Sequence, residues 1–159
     1  MSVPEITVAA VAEDGGRFLL VEERIDGRLV LNQPAGHLER GETLLQAVVR
    51  EVREETAWRF SPRELLGVYL WRHPRKGHLF KRFTFIGSVS DHQPQQPLDQ
   101  GIVGTLWLTP EEVRSRTEAL RSPLVLRCIE DYLAGARSPL AEAATLDLDS
   151  ARAATAIEV

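Results

Sequence analysis

Gly36-His37-Leu38-Glu39-Arg40-Gly41-Glu42-Thr43-Leu44-Leu45-Gln46-Ala47-Val48-Val49-Arg50-Glu51-Val52-Arg53-Glu54-Glu55 sets a glycine, then a glutamate after five residues, then an Arg-Glu-x-x-Glu-Glu cluster after seven more. An α-helix advances by about 100° per residue, so Glu51, Glu54 and Glu55, at i, i+3 and i+4, share one face. Leu45, Val48, Val49 and Val52, at i, i+3, i+4 and i+7, form an adjoining apolar face that a helix buries against a sheet. Thr43 with Gln46 makes a capping box, which predicts a helix starting at Thr43. Like charges at helical spacing repel by about a few tenths of a kcal/mol per pair, and more when partly buried. A hard cation removes that repulsion, and an all-oxygen donor set suits Mg²⁺ or Mn²⁺. Arg50 is the expected counter-charge, and Glu42 its expected partner.

The run from Gly36 to Glu42, continued by Arg50-Glu51-Val52-Arg53-Glu54-Glu55-Thr56-Ala57-Trp58, resembles the box of the Nudix hydrolase family: glycine, five residues, glutamate, seven residues, Arg-Glu-aliphatic-x-Glu-Glu-x-Gly-aliphatic. Ala57 stands where that pattern has glycine, so a different helix exit is expected. The resemblance implies an α/β fold, the Nudix α/β/α sandwich with a mixed β-sheet between helices, over about residues 4 to 135. It implies Glu51 and Glu55 as metal ligands, Glu54 as a ligand or the base that deprotonates water, and the Gly36 carbonyl as a further oxygen. The candidate catalytic set is Glu51, Glu54 and Arg50, and the candidate metal set Gly36, Glu51, Glu54 and Glu55. Which glutamate is the base stays open. Many relatives add a glutamate from a later loop; here that place reads Leu98-Asp99-Gln100-Gly101-Ile102, with Gly101 in the acid's position and Asp99 either a contributor or a solvated loop acid.

Composition is compatible with that reading. The 159 residues suffice for one domain with a sizeable core, and 19 basic against 23 acidic side chains give a net charge of -4. There is no basic block or aromatic-and-basic stripe, so duplex nucleic acid is not an expected partner and an RNA-processing role is disfavoured. Cys128, the single cysteine, excludes an intramolecular disulfide and a cysteine-based zinc cluster, and is expected to be buried as a small apolar residue. No apolar run is long enough to span a bilayer and Met1–Glu5 lacks the pattern of a signal peptide, so no membrane association and a cytoplasmic location are the default expectations. The chain is expected to be a monomer or homodimer.

Outward from the motif, Ile6–Val11 and Phe18–Val21 read as strands joined at Asp14-Gly15-Gly16, and Asp26-Gly27 turns into Leu29–Leu31. Residues 32–36 read as a loop. Ser61–Glu64 reads as a capped turn, Leu65–Arg72 and Phe80–Val89 as strands, Ser90–Gly101 as a loop and Val103–Leu108 as the last strand. Thr109-Pro110-Glu111-Glu112 starts a helix, and Ser122-Pro123 starts a final one that stops near Gly135. Residues 1–135 are thus the expected domain and 136–159 a loosely held tail.

Carboxylate-held divalent ions polarise phosphoryl oxygens and lower the pKa of bound water, which is what phosphoanhydride hydrolysis requires. No serine elbow, Cys–His signature or P-loop competes. Shorter strings, Asn32–Glu39, Lys81–Phe85 and Arg121–Val125, resemble the NudJ-type phosphatases, which remove phosphate from nucleoside tri- and diphosphates and thiamine-type pyrophosphates. The resemblance therefore implies a small phosphorylated substrate, with a sensor that binds nucleotide without cleaving it as the alternative. Arg82, His37 and Gln33 are the candidate substrate-binding residues; Arg82, facing opposite to Phe83 and Phe85, reads more simply as a surface cation. Trp71 either stacks on a substrate ring or packs, Trp58 and Trp107 belong to the core, and His73, His78 and His92 are solvated.

Overall fold

Period-two alternation in the first third of the chain becomes three strands: β1 (Glu5–Asp14), β2 (Arg17–Ile25) and β3 (Arg28–Asn32). A computed structural model describes residues 3–141 and 143. It continues with β4 (Ala35–His37), α1 (Leu44–Thr56), β5 (Arg59–Arg72), β6 (Leu79–Ser90), β7 (Ile102–Leu108), α2 (Pro110–Arg114), a 3₁₀ turn (Thr117–Ala119), α3 (Leu124–Leu133) and β8 (Ser138–Pro139). The sheet runs β3-β2-β1-β6-β5-β8, with β4 paired to β1 and β7 to β2. β1 and β6 are parallel from Glu5 opposite Phe80 to Ala12 opposite Gly87, while β5 and β6 are antiparallel, so the sheet is mixed.

Alternation along the central strands sends side chains into two cores. Val8, Ala10, Phe83 and Phe85 meet Ala47, Val48 and Val52 of α1, whereas Val11, Leu20 and Ile86 meet Val113 of α2 and Val125, Cys128 and Ile129 of α3. The result is the expected α/β/α sandwich, with Cys128 fully buried as anticipated. Trp58 and Trp107 are partly buried against the α1 core, their rings edge to face at 6.3 Å.

Four local expectations are corrected. The segment 32–36 is only partly a loop, because Ala35–His37 pairs with Thr7–Ala9 as β4. Ser61–Glu64 is not a turn: β5 runs through it, and Pro62, which cannot donate to a ladder, sits where the register with β6 shifts. Gly87 opposes Pro62 at that irregularity, and a Cβ there would fall on the Ser61 carbonyl and the Phe60 ring. β7 is not the last strand, since Ser138–Pro139 pairs with Leu65 and Glu64 of β5 and Ala143 is fully buried; both fall in the stretch expected to be a tail, and residues 144–159 lie outside the described ones.

The fourth correction is the exit of α1. Ala57 adopts the left-handed conformation a glycine would take, with φ 62, and its N–H donates to the Arg53 carbonyl. The left-handed conformation costs about 1–2 kcal/mol for a residue with a Cβ and is held here by that hydrogen bond and by the surrounding structure. Ala57→Gly removes this strain and returns about 0.4–1 kcal/mol as freedom of the unfolded chain. The thermal midpoint should therefore rise; a fall of several degrees in calorimetry would show that the buried methyl matters more than the strain.

Candidate metal centre and substrate cavity

The capping box forms as expected: Thr43 Oγ1 accepts from the Gln46 N–H at 3.1 Å and Gln46 Oε1 from the Thr43 N–H at 2.9 Å. This fixes where α1 begins, and so which side chains reach its sheet-facing edge. Glu51 and Glu55 are buried there, while Glu54 is partly exposed.

The three expected carboxylates do not all converge. Oxygens of Glu51, Glu54 and Asp99 lie within 4.8 Å of one another, an arrangement able to hold a metal ion. Glu55 lies deeper, where its Oε1 accepts from the Ala35 N–H at 2.8 Å, and burial raises its carboxyl to about 8. Asp99 is brought in by the loop before β7. The Asp99 N–H donates to the Glu54 carbonyl at 2.9 Å, the Gln96 side chain to the Arg53 carbonyl at 2.7 Å and the Gln93 N–H to the Ala57 carbonyl at 2.9 Å. Carbonyls near the end of α1 thus gain their partners from this loop. Gly101, where the acid was expected, has φ 91, a conformation in which a residue with a side chain would be strained.

Arg50 ties the acids together as the motif suggests. Its Nε and Nη2 donate to the two Glu42 oxygens at 3.0 and 2.6 Å, Nη1 to Glu51 at 2.8 Å and Glu54 at 3.2 Å, and Nη2 also to the His37 carbonyl at 3.0 Å. The guanidinium beside Glu42 holds that carboxyl below its usual range. The stabilisation is therefore present above the ordinary pKa and is lost as pH falls through the depressed folded value. Glu42→Gln should cost about 1–3 kcal/mol near neutrality and progressively less in acid. Urea titrations of both proteins across the acid range check this; a constant difference would contradict it.

Gly36 completes the centre by its lack of a side chain. A Cβ built on it would fall on the Glu51 carboxyl group itself, so the β4 backbone lies directly against that ligand candidate. These donors fit a hard divalent cation: Glu51, Glu54 and Asp99 offer carboxylate oxygens, and Arg50 donates to Glu51 and Glu54.

Beside the acids is a cavity of about 210 Å³ whose lining includes Gly36, His37, Glu55, Trp71, Phe80 and Arg82. Arg82 is not the surface cation expected. It is 5 % exposed, because α3 covers this face of the sheet, and its Nη2 donates to Gln33 at 3.0 Å and Asn32 at 3.3 Å. Gln33, also buried, donates to the Val125 carbonyl at 2.8 Å and so holds Arg82 in place. His37 is exposed, its Nε2 3.0 Å from a Glu5 oxygen. Glu23 of β2, on the cavity wall near Glu55, had no distinguishing signal in the sequence. His92 stacks on Trp58 at 4.5 Å, an exposed position as expected.

Comparison with known proteins agrees with this geometry: the NUDIX domain family matches residues 1–128. The chain belongs to the Nudix family. It is 42% identical over 140 residues to Phosphatase NudJ of Escherichia coli (strain K12), covering 88% of this chain and 90% of that protein, and equally to Phosphatase NudJ of Shigella flexneri. The solved structure of a NUDIX hydrolase from Nitrosomonas europaea is 49% identical with a TM-score of 0.85, over 87% of this chain and 94% of that one. A UDP-X diphosphatase structure, 19% identical with a TM-score of 0.70 over 87% of this chain and 67% of that one, shares the fold. This Nudix hydrolase thus has its family's acidic motif on a centre able to hold a metal, and among the described residues no helix is long and apolar enough to cross a membrane.

Proposed function

We propose that this Nudix hydrolase cleaves phosphoanhydride bonds in nucleoside tri- and diphosphates or thiamine-type pyrophosphates, using Mg²⁺ and releasing inorganic phosphate. The observation that carries this is the meeting of Glu51, Glu54 and Asp99, with Glu51 against Gly36, which lines a cavity together with Glu55 and Arg82. Kinship with proteins named Phosphatase NudJ supports the choice of phosphate as the product.

Glu51, Glu54 and Glu55, with the Gly36 carbonyl and Asp99, would hold the cation. When bound, it supplies charge neutralisation, a polarised phosphoryl oxygen and a water of lowered pKa. Arg50 keeps Glu51 and Glu54 aimed inward despite their repulsion. Glu54, the least buried of the three glutamates and one of the converging acids, is our candidate for taking a proton from an attacking water. Arg82 and His37 bind the substrate, and Gln33 positions Arg82.

A panel of nucleotides and cofactor pyrophosphates with Mg²⁺, read for phosphate and for pyrophosphate, tests the assignment. Phosphate is the expected product. Pyrophosphate release would overturn the phosphatase reading, and tight binding with no release of either would favour a sensor.

A further inference from the structure

The cavity of about 210 Å³ is smaller than the roughly 300–1,000 Å³ of typical ligand sites, so a nucleotide-sized substrate has to occupy space beyond it. A neighbouring cavity of about 630 Å³ shares Trp71, Arg121 and Ser122 with it. This second cavity lies between the turn from β2 into β3, the turn after β5 and the segment that leads into α3, and the proposed hydrolysis makes no use of it.

Cations outnumber acids on its wall, although the chain as a whole carries a net charge of -4. Arg28, Arg75 and Arg121 stand there with Asp26 and Glu118, and among the described residues none of these five side chains forms an ion pair or a hydrogen bond. His73, on the same wall, shows the sign of the local field. Its Nδ1 accepts from the Arg75 and Lys76 N–H groups at 3.2 and 3.1 Å, which leaves the ring proton on Nε2. Desolvation, then Lys76, Arg121, His78 and Arg75, hold the ring below the usual histidine range, and no carboxylate is among these influences. His73 is thus a neutral donor among cations. Guanidinium groups that have no protein acceptor, grouped at a cavity with a further N–H donor, match an anion with several oxygens.

Arg121 connects this cavity to the first, because it belongs to both walls. Its backbone N–H donates to the Leu31 carbonyl at 2.8 Å, which ties the segment before α3 to β3 and leaves the exposed side chain free of any structural bond.

Building on the proposed phosphoanhydride hydrolysis, we propose that Arg121 and Arg75 determine specificity by holding a second anionic group of the substrate, a phosphomonoester separate from the anhydride that is cleaved. Calorimetric titration of the slowly turning E54Q protein in Mg²⁺ at low ionic strength, with adenosine diphosphate and adenosine 3′-phosphate 5′-diphosphate as probes, tests this directly. The probe with the additional phosphate should bind at least about ten-fold tighter, and added salt should shrink that preference. Arg121→Gln and Arg75→Gln should each reduce the preference, and the double substitution should erase it. Arg63→Gln removes an exposed arginine outside both cavities, whose side chain donates to Ser88, and should leave the preference as it was. Equal affinity for the two probes in the E54Q protein would overturn the proposal. So would an Arg121→Gln, Arg75→Gln double variant that weakens both probes equally, or an Arg63→Gln variant that loses as much preference as Arg121→Gln. These dissociation constants are read independently of turnover, so absence of phosphate release by the wild-type enzyme would count against the proposed hydrolysis alone.

Discussion

Glu54→Gln and Glu55→Gln should each lower turnover by about two or more orders of magnitude while leaving the fold intact, an effect of about 3 kcal/mol or more on the barrier. Glutamine keeps the shape and loses the anionic oxygen that holds a cation or accepts a proton. Fold retention follows from the surroundings. Glu54 is partly exposed, and in the Glu55→Gln protein the new amide oxygen can still accept from the Ala35 N–H. Glu55 adds a readout that is separate from catalysis. Its carboxyl is raised from the ordinary range to about 8 by burial, so without a cation the folded protein should lose stability as pH rises from about 4.5 to 8. That loss is on the order of a few kcal/mol; Glu55→Gln should abolish it, and a bound divalent cation should offset it. Steady-state kinetics with circular dichroism, and melting curves across that pH range with and without chelator, check these outcomes. Unchanged turnover in both variants would remove the site assignment.

Gly36→Ala is the second large effect expected. The added methyl would occupy the position of the Glu51 carboxyl group, so either that side chain or the β4 backbone must move. β4 is held by its register with Thr7–Ala9, so Glu51 is the part that gives way. It would lose its hydrogen bond from Arg50 and its place beside Glu54 and Asp99. A displacement of about 1 Å in a catalytic constellation costs on the order of a hundred-fold in rate. We expect that loss in kcat, with weakened cation affinity and a thermal midpoint lowered by only a few degrees. A normal kcat for this alanine variant would show that Glu51 is not needed where it stands.

The features most legible in the sequence were those determined by neighbours along the chain. The Thr43–Gln46 box and the Arg50–Glu42 pair are local to α1 and the turn before it, and each appears as read. What escaped depends on partners distant in sequence. β4 exists because Thr7–Ala9 accepts it, and β5 absorbs Pro62 because β6 tolerates an irregularity at Gly87. Glu55 lies on the expected side of α1, but its oxygen accepts from the Ala35 N–H and it stands outside the Glu51, Glu54 and Asp99 group. Alternation put Arg82 opposite Phe83 and Phe85 correctly; that α3 would cover that second face was not contained in the strand itself. Asp99 joins the acids only because its loop satisfies carbonyls at the end of α1, a matter of tertiary hydrogen bonding.

Ala57 shows how a departure from a family pattern can leave the geometry unchanged. The position keeps its left-handed backbone, and a strained residue, in place of a permissive one, fulfils the same role. The loop that carries Asp99 depends on this exit, because the Gln93 N–H donates to the Ala57 carbonyl. Helix termination and the assembly of the acids are thus physically linked.

The central claim, that these carboxylates serve hydrolysis by holding a divalent cation, is tested most directly by the rate of phosphate release from a nucleoside diphosphate as a function of free Mg²⁺. The account predicts no release in excess chelator and a saturable rise as Mg²⁺ is restored. An equal rate in chelator and in Mg²⁺ would contradict it.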